Sequence, residues 1–171
     1  MKYAEARLKI KTGDMLLWRN HKSGGLRATI ERWFVEHGTA SPYTHVGYAW
    51  VEHNRVWVIE ITTKGCAPRL LSQVGDFDWA VAPKQGSEKA LNYGFSCFGV
   101  WTYSKWQAIK GQLKTLIIGE DLSGQCAELA ISMWRVDDMA PSIHATPAAC
   151  AYGAMTEWWS SITYVDNGCI K

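Results

Sequence analysis

The sequence predicts an α+β domain, a small antiparallel sheet or partial barrel packed against helices. Three observations carry that prediction. Alternating, β-branched residues from Thr44 to Thr62 read as one hairpin. Helical patterns flank it on both sides in the chain. A histidine on the hairpin precedes a cysteine that stands at the start of a later helix.

The elements follow in order. Asp14-Met15-Leu16-Leu17-Trp18 is a short apolar strand after a Thr12-Gly13 turn. Leu26, Ile30, Trp33, Phe34 and His37 recur at helical spacing, with Arg27, Glu31, Arg32 and Glu36 on the other face, so an amphipathic helix is expected there. Ser41-Pro42 closes the connection, because a pre-proline residue is pushed out of helical geometry. The hairpin runs from Thr44 to Val51, turns at Glu52-His53-Asn54-Arg55, and returns from Val56 to Thr62. A third strand is expected over Phe77–Ala82, stopped by Pro83. Helices are expected over Ser87–Tyr93, over Ser104–Leu116, and from Ser123 through Trp134. Thr146-Pro147 supplies an N-cap and a first-turn proline for a last helix, with Trp158-Trp159 at its far end. Ile162–Val165 reads as an edge strand.

No linker or repeat divides the 171 residues, so residues 1–171 form one domain, long enough for a core without disulfides or metals. A net charge of +2 and the lack of any dense Lys/Arg tract exclude nucleic acid as a partner. No window approaches the roughly 20 apolar residues of a membrane span. The first residues lack the apolar stretch of a signal peptide. Five cysteines, an odd number without paired spacing, fit a reduced, cytoplasmic setting. The ten tryptophans read first as core or cleft-wall residues.

Cys126 has a plain structural reading. With Leu129, Ala130, Met133 and Trp134 it forms one apolar helical face, where a cysteine packs as a small hydrophobe. Its position adds a chemical reading. Ser123 and Gly124 look like an N-cap and approach turn, which would put the sulfur in the first helical turn. There the orphan N–H groups and the helix dipole favour a thiolate. His45 is either a strand-edge histidine bonded for reasons of fold or the imidazole partner of that thiol. An even loop centred on His53-Asn54 sets residue 47 opposite residue 60, so His45 and Glu60 share a face diagonally. An odd loop would put them on opposite faces. His21, His37, His53 and His144 show no metal-ligand spacing with one another or with the cysteines, so neither a metal nor a cofactor is expected.

Three segments in order, Thr12-Gly13-Asp14-Met15-Leu16-Leu17-Trp18, Ile30-Glu31-Arg32-Trp33 and Ser41-Pro42-Tyr43-Thr44-His45-Val46-Gly47, resemble the opening of the circularly permuted NlpC-like cysteine hydrolases. These include YiiX/YaeF-type amidases and, more distantly, lecithin retinol acyltransferase. Val58-Ile59-Glu60-Ile61 with Gly65 is similar to the family's second hairpin strand, and Gln125-Cys126-Ala127-Glu128-Leu129 to its nucleophile helix. The resemblance covers residues 12 to 134. It implies a permuted papain-like fold, with Cys126 as nucleophile, His45 as base and Glu60 as orienting carboxylate. Gln125 and Tyr43 are the candidate oxyanion- and substrate-binding residues. Gln125 stands where an aromatic is usual and Ala127 where a serine is usual.

The function that follows is a thiol amidase or peptidase acting through an acyl-enzyme, with a cell-wall peptide or related acyl amide as substrate. Two alternatives use the same fold. One is a lipid acyltransferase or thioesterase. The other is a non-catalytic interaction module, motivated by the two departures beside Cys126. A wall-degrading protein of phage origin, released by lysis, would equally need no signal peptide.

Overall fold

A computed structural model of the chain describes residues 1–19, 42–103, 123–124, 126–140, 147–156, 159 and 161–168. The sheet strands are β1 (Met15–Arg19), β2 (Tyr43–Glu52), β3 (Arg55–Thr62), β4 (Gly65–Leu70) and β5 (Phe77–Ala80). A one-turn helix α1 (Tyr3–Ala6) precedes them, and α2 (Glu88–Ser96) follows. Two short strands, β6 (Thr102–Tyr103) and β7 (Ser123–Gly124), pair with each other in parallel. Then come α3 (Cys126–Val136), α4 (Pro147–Thr156) and β8 (Thr163–Val165). The helices expected over Leu26–His37 and Ser104–Leu116 lie outside the described residues.

The main sheet has the order β4-β3-β2-β1-β5-β8. All of its pairings are antiparallel, and it stays open, with β4 and β8 at its edges. The apolar run of β1 follows from its central place. Leu17 faces the helices and Leu16 the opposite side, and both are fully buried. On the helical side, Met15, Leu17, Val46, Tyr48, Ile59 and Ile61 pack against Leu129, Met133 and Trp134 of α3. On the other, Leu16, Trp18, Val58, Phe77 and Trp79 enclose Ala6 and Ile10 from the N-terminal segment. The Trp134 indole also donates to the Gly13 carbonyl at 2.7 Å, tying α3 to the turn before β1.

A two-residue hairpin turn of type I′ needs left-handed backbone at both turn positions. His53 and Asn54 adopt it, with φ of 48° and 60°. The resulting register pairs Glu52 with Arg55 and Tyr48 with Ile59. That ladder stops at Tyr48↔Ile59, although β2 extends back to Tyr43 and β3 on to Thr62. The Ala49 N–H donates to Asp14 on the β1 side, so the N–H of Val46, three residues away, points toward β3. There the ladder has already ended.

Several expectations shift. The third strand stops at Ala80 instead of Ala82, because the Ala82 N–H turns to the buried Asp14 carboxylate at 2.9 Å. The helix beginning at Ser87 runs on to Ser96, with Ser87 as its N-cap accepting from the Ala90 N–H. Ser123 and Gly124 do not cap α3. Their backbone pairs with β6, and the helix begins at Cys126. Pro147 opens α4 as expected, and the edge strand near the C-terminus is Thr163–Val165. β4 was not expected at all. Its Gly-Cys-Ala-Pro-Arg-Leu sequence lacks β-branched residues, and Pro68 is tolerated because β4 is an edge.

Candidate active site

Three elements deliver the site. His45 lies on β2, Glu60 on β3, and Cys126 is the first residue of α3. The hairpin register sets Glu60 one diagonal step from His45, and His45 Nε2 contacts Glu60 Oε2. The ring's Nδ1 is left for Cys126, whose thiol hydrogen-bonds the imidazole. The backbone N–H groups of Val46 and Ala127 also favour the thiolate. The first comes from the unpaired stretch of β2, the second from the first turn of α3.

Trp18 pairs with His45 across β1 and β2, and its indole lies against the imidazole with ring centroids 5.3 Å apart. It fixes the ring plane from the side away from Glu60's strand. Gly47, two residues on, is required by close approach. A Cβ there would collide with a Val58 methyl.

The electrostatics divide the cysteines. Burial alone would raise the Cys126 thiol, but the His45 imidazolium and the two N–H groups outweigh it and hold the pKa below the ordinary 9.0. Burial likewise works against the His45 cation, yet the Cys126 thiolate and Glu60 carboxylate raise its pKa well above 6.5. Glu60 is held below the usual carboxylate range by His45 and Arg69, again against burial. All three directions favour a thiolate–imidazolium pair backed by a carboxylate. The other described cysteines go the opposite way. Burial pushes Cys66 up to about 12 and also raises Cys97 and Cys150. Access is one-sided: the His45 side chain is 24% exposed and Glu60 1%, while Cys126 is 6% exposed.

Among the other site candidates, Tyr43 is buried, with the Arg19 guanidinium 5.6 Å from its ring centre. Its hydroxyl bonds with Arg19 and Asp78, and Arg19 in turn is anchored to Asp78. Gln125 lies outside the described residues, as do His21, His37, His144 and Cys169. His53 sits exposed in the hairpin turn against Glu52.

One participant was missed from the sequence. Arg69, on β4, places Nε on Glu60 Oε1, the oxygen that His45 leaves free. Ala67 pairs with Glu60, so Arg69 is its diagonal neighbour on that side. The signal would have been a basic residue on a strand beside β3, but β4 itself was not legible.

No family model matches this chain, and no curated protein matches it. Among solved structures it is similar to the metalloprotein YiiX from Escherichia coli O157:H7, at 14% identity and a TM-score of 0.46. The likeness covers 77% of this chain and 69% of that one. No helix among the described residues is long and apolar enough to cross a membrane.

Proposed function

We propose that this chain is a cysteine hydrolase of the permuted papain-like kind, cleaving an amide bond in a cell-wall peptide or related acyl amide. The observation that carries the reading is the hydrogen-bonded run Cys126–His45–Glu60, with the thiol held below its ordinary pKa at a helix start. The Cys126 thiolate attacks the carbonyl carbon. The oxyanion forms beside the Cys126 N–H, an orphan donor at the first helical position, with the Gln125 amide as a second donor. The His45 imidazolium gives its Nδ1 proton to the departing amine and then takes one from the water that hydrolyses the acyl-enzyme. Glu60 keeps the ring oriented through Nε2 and stabilises its cation. Tyr43, two residues before His45 on β2, is the proposed substrate-binding residue.

Purified protein incubated with muropeptides tests this directly. Cleaved peptide is expected, and it should vanish in both Cys126→Ala and His45→Ala. Acyl transfer from phospholipid to an amine acceptor without peptide cleavage would instead make the chain a lipid acyltransferase. Binding that survives both substitutions, without turnover, would make it an interaction module.

A further inference from the structure

Glu60 sits in the middle of a three-strand row, with His45 on one diagonal and Arg69 on the other. We infer that Arg69 is a positioning residue of this site, holding Glu60 oriented and ionised through Oε1 so that Oε2 stays on His45. The inference rests on the reading of Cys126 and His45 as the reacting pair.

Three physical points support it. A carboxylate anchored at one oxygen can still rotate about its last bond, whereas anchors on both oxygens fix its plane. Glu60 is 1% exposed, so water cannot satisfy Oε1, and without Arg69 the buried charge would rest on His45 alone. A protonated Glu60 would in turn stop stabilising the imidazolium, and the thiolate would lose its counter-ion. Arg69 itself is 48% exposed and reaches in from the sheet edge, so its guanidinium keeps much of its hydration.

Among the described residues, the groups that face Glu60 are few. His45 comes from β2 and Arg69 from β4, while Cys66 of β4, paired with Ile61 on the other face, feels only the charge of Glu60. Cys126, on α3, acts on it through His45. Cys66 stays neutral because burial raises its thiol. Trp18, packed on the ring from β1, carries no charge. Arg69 is therefore the described cation, apart from His45 itself, that keeps this carboxylate ionised.

The test is the pH dependence of Cys126 alkylation by iodoacetamide, resolved by mass spectrometry on the full chain. In the unsubstituted protein Cys126 should stay selectively reactive into mildly acidic solution. In Arg69→Met the acid limb should move upward, cutting the rate about tenfold near pH 5, the effect of one pKa unit, with the rates near pH 8 matching within about twofold. Arg69→Lys should recover most of the lost reactivity. Arg69→Gln, which keeps a donor without charge, serves where Arg69→Met does not fold and should show the same upward shift. A merely structural arginine would change the rate at every pH or at none. An unshifted acid limb in the folded neutral variant would overturn the inference while leaving the reacting pair intact. Loss of Cys126 selectivity in the unsubstituted protein would overturn the reacting pair, and this inference with it.

Discussion

His45→Ala is expected to reduce alkylation of Cys126 at about pH 6 on the order of a hundredfold. The imidazolium and its hydrogen bond are the leading influences that oppose burial at this thiol. Without them burial dominates, and the pKa moves to or beyond the ordinary 9.0, as it does for Cys66, Cys97 and Cys150. Greater intrinsic nucleophilicity of the more basic thiolate offsets only part of the lost population. Selectivity among the four described cysteines should disappear with it. Cys126→Ala should abolish labelling at that site while leaving the fold nearly unchanged, since one small group leaves the end of a helix. Labelling confined to Cys66 or Cys97 in the unsubstituted protein would contradict this.

Glu60→Gln is the second large effect, on stability as well as chemistry. The substitution preserves shape but leaves Arg69 and His45 without their anionic partner. A cost of about 2–3 kcal/mol at neutral pH is expected, below the roughly 3–5 of a fully buried pair because Arg69 can turn to water. The pH dependence has a definite sign. The folded carboxyl lies below its ordinary 4.5, so its stabilisation is present above that value and is lost as pH falls through the depressed folded pKa. Urea unfolding should therefore show a wide gap between unsubstituted protein and Glu60→Gln near pH 7. The gap should narrow as the solution is acidified. A gap that is constant with pH would mean that the carboxylate is not held ionised by its partners.

The part of this site legible in the sequence is the part governed by local rules. An even turn at His53-Asn54 sets the register, and the register makes His45 and Glu60 diagonal neighbours. The apolar spacing Cys126, Leu129, Ala130, Met133, Trp134 gives the helix and its buried face. What escaped depends on contacts between distant segments. Ser123 and Gly124 look like a cap, but their backbone is taken by Thr102 and Tyr103, a parallel pairing that no local pattern announces. Arg69 escaped for a different reason. It follows a proline in a strand held in the sheet by its neighbour β3 more than by its own propensity. The end of the β2–β3 ladder, which frees Val46 to donate to the sulfur, was equally unreadable because both strands continue in extended form beyond it.

The central claim is a thiolate–imidazolium pair in the resting protein, and nitrogen-15 NMR of the His45 ring across pH tests it most directly. Both ring nitrogens should remain protonated through neutral pH and lose a proton only well above the ordinary 6.5. In Cys126→Ala that titration should move down, because the thiolate is the leading influence that raises it. A His45 that titrates near 6.5 in both proteins would contradict the pair, since the imidazole would then carry no charge for the thiol to answer.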